Sequence, residues 1–329
     1  MSTIEAMRPA LVLVLAVGLD AALGDPWHWP HPVQVMGGFI QQGSRLGLRW
    51  TSSPLAQRLW GGGLALILIL GSGGLTAFTL LWVSRWSELA GIGLETIWVA
   101  SCLAERSLRD AAKDVLEPLQ QSDLPAARQR LARYVGRDTD RLDTSAVLRA
   151  VVETVSENAT DGVLAPFFYA ALGALLGVGS APLAMAYKAA STLDSMVGYR
   201  RAPYTYLGWF SARLEDGLTW LPCRLVVGTL ALLSRRPVHL WRLCYRDARA
   251  DPSPNAGWSE CAYAAALGIQ LGGWNHYQGQ RTFKPYLGDA QHPITTATVH
   301  RALRLTRWSL YLWLGAMVLM LGLRAVTLT

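Results

Sequence analysis

The chain has 329 residues, 51% hydrophobic and only 16% charged, where a soluble domain carries roughly a quarter charged; its mean hydropathy is +0.23. That balance excludes an ordinary soluble globule and points to an all-α, polytopic integral membrane protein of five to eight spanning or re-entrant helices, read as one embedded unit over residues 1–329. The net charge of +7 suits membrane topology, anionic headgroups or an anionic substrate such as a nucleotide, rather than nucleic acid.

The segment from Pro9 to Gly24 is apolar apart from Asp20 and reads as a retained helix, with Asp20 facing protein rather than lipid. Next comes a loop stiffened by Pro26, Pro30 and Pro32, which presents Asp25 and His31 as a candidate polar pair. Its Trp27 and Trp29 suit a membrane interface. Residues Leu59 to Val83 form a clear spanning helix. Leu89 to Ala104 is a second apolar segment, interrupted by Glu95. Glu105 to Arg149 carries nine Lys or Arg and eight Asp or Glu, a mixed-charge helical piece that the positive-inside rule assigns to the cytoplasm. Within it, Gly136 suits a turn and Asp138 or Thr139 a helix N-cap; alternatively, Arg137 and Asp138 are an exposed functional pair.

The stretch from Val151 to Gly198 concentrates the chemistry. Glu153, Glu157 and Asp161 fall at i, i+4 and i+8 and line one helix face. Three stacked carboxylates repel one another unless a cation or basic partner lies between them. A metal meets that need, and so do salt bridges to Arg137, Arg141 or Arg149. An apolar run follows. Lys188 and Asp194 then interrupt a second apolar stretch, and ionisable groups at membrane depth default to function. Tyr199 to Gly217 mixes aromatics with charges, including an i,i+3 pair of Arg213 and Asp216 of the kind that is usually just a surface ion pair. Residues Leu218 to Ser234 are apolar but broken by Pro222 and Arg224. The polar loop 251–260 leads into a short apolar helix from Cys261 to Leu271. Residues Trp308 to Leu323 form the last span.

Several signatures are absent. The four cysteines form no CxxC pair, which argues against zinc and a disulfide framework. There is no GxxxxGK[ST] phosphate loop, no GxSxG and no HExxH.

Taken in order, eight short motifs carry a resemblance: GDPxxxPHPV (24–33), GRDT (136–139), VETVSENATDG (152–162), AYKAASTLDSMVGY (186–199), SARLED (211–216), SPNAGWSE (253–260), LGG followed by N, Y and G (271–279), and KPYLGD (284–289). Together they make the chain resemble the CobD/CbiB family of cobalamin biosynthesis over nearly its whole length. Ser259 stands where that family usually has proline, which removes some stiffness from the loop.

The resemblance implies a multi-pass protein of the cell membrane, its active loops facing the cytoplasm. It implies an ATP- and Mg²⁺-dependent ligase that joins adenosylcobyric acid to (R)-1-amino-2-propanol or its O-phosphate. The partners would be the corrinoid, the amino alcohol, membrane lipid and other enzymes of the pathway, with no nucleic acid. Fitted to that reaction, Glu153, Glu157, Asp161 and Asp194 are the metal candidates. Lys188, Arg137 and Arg213 would stabilise phosphoryl charge, and Glu260, Asp216 or His31 would act as base. Asp25, Asp138, Asn158, Asn255, Trp258 and Tyr199 complete the substrate-binding set, with Trp27, Trp29, Trp258 and Trp274 walling a corrinoid pocket. Two other classes stay open: an intramembrane Mg²⁺-dependent prenyltransferase, and a transporter built on a Lys188–Asp194 ion pair.

Overall fold

The computed structural model describes residues 3–24, 31–199 and 201–328. Asp25, Trp27, Trp29 and Arg200 lie outside them. The elements are α1 (Thr3–Leu23), α2 (Pro32–Trp50), α3 (Pro54–Ser84), α4 (Glu88–Ala100), α5 (Glu105–Gln120), α6 (Leu124–Leu131), α7 (Thr144–Asn158), a π turn (Ala159–Leu164), α8 (Ala165–Leu176), α9 (Ser180–Val197), α10 (Trp209–Leu233), α11 (Pro237–Asp247), a 3₁₀ turn (Ala248–Ala250), α12 (Ala256–Leu267), β1 (Leu271–Tyr277), β2 (Gln280–Leu287) and α13 (Thr296–Leu328). The protein is all-α apart from one antiparallel two-stranded ribbon, β1–β2.

Local chemistry explains the starts. Pro32, Pro54 and Pro237 open α2, α3 and α11, where a fixed φ and a missing N–H cost nothing. Ser53, Ser87 and Asp143 accept a backbone N–H as N-caps of α3, α4 and α7. Neither Asp138 nor Thr139 caps a helix; Asp143 takes that role. Four helical runs are long and apolar enough to cross a bilayer: Pro54–Ser84, Thr144–Leu176, Trp209–Leu233 and Thr296–Thr327. The four cysteines are buried and form no disulfide among the described residues.

The residues group into two compact units interleaved along the chain. The first comprises Met1–Ala104, Gly162–Thr219 and Leu312–Thr329; the second comprises Glu105–Asp161 and Trp220–Tyr311.

In the first unit, α2, α3 and α9 pack around Ile40, Ala65, Leu193, Val197 and Leu207. Contact there is close enough to require glycine: a Cβ on Gly61 would lie 1.8 Å from the Leu207 carbonyl oxygen. Asp20 is buried, as expected of a carboxylate turned from lipid. Glu95 is buried as well, with its charge placed. One oxygen accepts from the Ser180 N–H at 2.7 Å, at the start of α9, and the other pairs with Arg8 at 3.2 Å. α9 has no side-chain cap of its own, so Glu95 supplies one from another helix. Tyr187 bonds Thr219 at 2.9 Å, and Thr219 donates to Glu215.

Glu95→Ala would leave both Arg8 and the α9 N-terminus without their partner. We expect a loss of about 3 kcal/mol, read as a lower melting temperature in detergent, with Glu95→Gln recovering part through the Ser180 bond. A melting temperature unchanged in Glu95→Ala would refute the role.

Candidate functional site

The second unit brings together six ionisable side chains from five places in the chain. Glu153 lies inside α7 and is buried. Arg137, from the loop before α7, pairs with it at 2.6 Å. The other Glu153 oxygen accepts from the Gly272 N–H at 2.9 Å, so one carboxylate holds both that loop and the start of the ribbon. Arg137 also donates to Asn275 at 2.9 Å, and Arg149 donates to the same Asn275 oxygen at 3.2 Å and to the Gly272 carbonyl. Gly272 stands at φ +84°, where a Cβ would lie 2.0 Å from the Pro285 oxygen, so this bulge in the ribbon requires glycine. The tip of the ribbon is pinned by Asp138, whose carboxylate accepts from the Gln278 and Gly279 N–H groups at 3.0 and 2.7 Å.

Ribbon placement then delivers Lys284. Its ammonium lies 2.6 Å from Glu260 on α12 and 3.7 Å from Asp251. Glu260 is fully buried, and its Oε2 has no hydrogen-bond partner. Glu157, one helical turn beyond Glu153, stays open to solvent while feeling the charges of Lys284, Asp251, Glu153 and Arg137. The cluster therefore sets four carboxylates (Glu153, Glu157, Asp251, Glu260) against two cations (Arg137, Lys284).

Burial pushes the Glu260 carboxyl up, to about 8; Lys284 pulls it down, and Glu153 and Glu157 push it further up. Burial would draw Lys284 down, but Glu260 and Asp251 hold it above the ordinary lysine range. Burial opposes the Arg137 charge too, and Glu153 more than offsets it. An excess of carboxylate keeps one proton in the cluster near neutral pH and suits a cation or an ammonium group.

The helix carrying this stripe is not regular. A π turn follows Asn158, where a side chain from α12 enters the helical ladder. The Ser259 hydroxyl donates to the Ser156 carbonyl at 2.6 Å and bonds Thr160 at 2.7 Å, which takes an acceptor out of the helical ladder. Proline at 259 could do neither. The stiffness expected to be lost there is replaced by two bonds to α7 and the turn. Asp161 lies within the turn, so the i, i+4, i+8 spacing ends at Glu157; Asp161 lies within electrostatic range of Cys223.

The other residues singled out from sequence fall as follows. Asn158 is exposed and bonds its own helix at Thr154. Asn255 is buried and accepts from Arg224 at 2.8 Å, while Trp258 lies half-buried under that guanidinium. Trp274 is exposed beside Phe283. His31, Lys188, Asp194, Tyr199, Arg213 and Asp216 belong to the first unit. His31 is the N-cap of α2, accepting the Val33 N–H through Nδ1. Arg213 and Asp216 form a 3.5 Å ion pair. Tyr199 is exposed, with Arg201 over its ring. Lys188 and Asp194 share α9, and six residues separate them, which puts them on different faces of one helix. Among the described residues no ion pair joins Lys188 to Asp194. Asp251, Lys284 and Asn275 were not among the residues singled out; of the arginines offered as partners for the acids, Arg137 pairs with Glu153 and Arg149 bonds Asn275 and the ribbon backbone. The KPYLGD motif held the signal for Lys284, and the loop before SPN held Asp251.

The raised Glu260 carboxyl has a definite sign. Between 4.5 and about 8 the folded protein keeps a proton that the unfolded chain has released, so this contribution to stability is full at the acid end and falls as pH rises. We expect melting temperatures to drop across that window and Glu260→Gln to flatten the drop. A profile that rises with pH and ignores the substitution would contradict the assignment.

The chain matches the family described as CobD/Cbib protein over residues 13–306. It is 51% identical over 321 residues to cobalamin biosynthesis protein CobD of Synechocystis sp., covering 96% of this chain and 92% of that relative. Cobalamin biosynthesis protein CbiB of Salmonella typhimurium is 42% identical over 301 residues, 90% of this chain and 92% of the relative. Cobalamin biosynthesis protein CobD of Klebsiella pneumoniae is 42% identical over 322 residues, 93% of this chain and 94% of the relative. No solved structure matches. With these matches running nearly end to end, the chain belongs to the CobD/CbiB family.

Proposed function

We propose that this protein is a membrane-bound ligase of cobalamin biosynthesis that joins adenosylcobyric acid to (R)-1-amino-2-propanol or its O-phosphate, at the expense of ATP. The names of its relatives supply the pathway. The observation that carries the ligase reading is the charge imbalance around Glu153, Glu157, Asp251 and Glu260, where the buried Glu260 Oε2 has no hydrogen-bond partner.

The reaction asks for that imbalance. A carboxylate is a poor electrophile. Attack of a corrinoid carboxylate oxygen on the γ-phosphorus would form an acyl phosphate and release ADP. The amine then attacks the acyl carbon, phosphate leaves, and the nitrogen gives up a proton. Lys284 and Arg137 are the cations available in this cluster to offset phosphoryl charge. Glu260 is the base candidate that lies in it: with its carboxyl near 8 it holds a proton until an entering cation displaces it, and the freed carboxylate can then take one from the amine. Glu157, open to solvent, would meet the incoming ammonium or the nucleotide.

Among the described residues, no group of three or more His, Cys, Asp and Glu is placed to hold a metal. Mg²⁺ bound through phosphates needs only one or two carboxylates, and Glu157, open to solvent, would supply one. When bound, Mg²⁺ supplies neutralisation of phosphate charge. The positive-inside rule orients the loops to the cytoplasm, where ATP is found.

The test is ADP release by the purified protein in detergent with Mg²⁺ and adenosylcobyric acid, with and without aminopropanol phosphate. We expect release only with both substrates, and a fall of about 10²-fold in Glu157→Gln. No release under any combination would reject the ligase. Release that survives Glu157→Gln would move the reacting groups away from this cluster.

A further inference from the structure

Outside the ionic cluster, the second unit holds an apolar groove of about 830 Å³ between α10 and α11, lined by Leu225, Gly228, Leu232, Val238 and Trp241 among others, with Arg242 at its edge. Its volume is in the range of ligand sites. Three further observations say what it takes.

The first is the shape of α11. Val238, Trp241 and Tyr245 are exposed and recur at i, i+3 and i+7, an apolar stripe on one face of a short helix. Leu240, Leu243 and Cys244 fill the opposite, buried side. A helix apolar on both flanks, with aromatics outward, is built to lie in a bilayer interface. The second is its position: α11 begins four residues after the end of α10, which is membrane-grade in length and hydropathy. The third is charge. No acidic residue occurs from Gly217 to Arg246, while Arg224, Arg235, Arg236, Arg242 and Arg246 do. Arg224 and Arg246 are engaged, with Asn255 and with Asp247 and Asp289. Arg235, Arg236 and Arg242 are exposed and make no side-chain hydrogen bond or ion pair among the described residues. Arg235 even adopts φ 55°, a conformation that glycine would take without strain.

We propose that this groove is a binding site for an anionic phospholipid. One acyl chain lies along Leu225, Gly228, Leu232 and Trp241, and the headgroup phosphate is held by Arg235, Arg236 and Arg242. The occupant is a lipid rather than a soluble phosphate because Arg242 lines an apolar trough at the end of a span, while Arg235 and Arg236 lie on the turn that joins its two walls. It is an anionic lipid because three cations there face no acid. The site uses none of the residues assigned to ligation.

The test uses the full-length protein, delipidated in neutral detergent and titrated with phosphatidylglycerol, phosphatidylcholine or glycerol 3-phosphate. Bound lipid is counted by native mass spectrometry, and melting temperature is read in parallel. Phosphatidylglycerol should bind and raise the melting temperature, and phosphatidylcholine should do so far more weakly. Replacing the arginines by glutamine should weaken phosphatidylglycerol roughly fivefold for each one removed, on the order of 100-fold for all three. Gly228→Phe gives a variant that keeps the cations. A Cβ there meets nothing within 4 Å, so the ring would fill the trough and exclude the chain without disturbing the helix. Equal binding of the two lipids would overturn the proposal. So would an effect that survives both variants, or one that glycerol 3-phosphate reproduces. A lipid-insensitive dimer split by Gly228→Phe would assign the face to a second copy and overturn it too.

Discussion

The Glu153 carboxylate holds three distant pieces of chain in one arrangement. It belongs to a buried helix, pairs with a guanidinium from the preceding loop, and accepts the first free N–H of the ribbon. Burying such a pair is costly, and the surrounding bonds must offset that cost. Arg137 is steadied by Asn275, Asn275 by Arg149, and Arg149 by the ribbon backbone. The circuit closes on itself, so the ribbon has one place to sit. Everything beyond follows from that placement. Lys284 reaches Glu260 because β2 is fixed, and Asp138 holds the far tip.

A circuit of this kind would be a structural device if its charges balanced. They do not. Even with Arg149 counted beside Arg137 and Lys284, three cations face four carboxylates, and the deepest of these, Glu260, leaves an oxygen without a hydrogen bond. In low dielectric the surplus is relieved by a proton or by a cation from outside. The two compete for the same site. An ammonium, a metal or a cationic group entering the cluster must therefore displace the proton that Glu260 holds, which links binding to pH without any moving part.

Much of this was legible in the residues. The hydropathy of 59–83 and 308–323 marks α3 and the core of α13, and each helix is longer than its apolar stretch because polar turns extend it at the ends. Glu153 and Glu157 read correctly as one stripe. Asp161 did not, because the π turn depends on Ser259, a residue 103 positions from Ser156, and no local pattern reports such a contact. The ribbon was hidden by Gly272, Gly273 and Pro285, which look like loop punctuation. Its signal was the turn Gln278-Gly279, both residues with positive φ, between two short stretches that each carry two aromatic rings. Lys284 lay in a recognised motif and Asp251 just before one, but both were separated from Glu153 and Glu157 by more than ninety residues of sequence. Their partnership exists only in the fold.

The helical runs also differ in what surrounds them. The apolar window of Pro54–Ser84 is 17% buried and that of Thr296–Thr327 is 22% buried, whereas that of Thr144–Leu176 reaches 61%. The first two are suited to lipid on most of their surface. The third is enclosed by protein, and it is the run that carries Glu153, Glu157, Asp161 and the π turn. An irregular backbone at membrane depth is tolerated only where protein or a water-filled cavity, not lipid, meets its polar groups. Ala159, Thr160, Val163 and Leu164 of the turn are buried, and the Ser156 carbonyl has Ser259 as donor. Enclosure is thus what allows a span-grade helix to hold three acids and a broken ladder, and it makes this helix, among the four, the one able to carry chemistry.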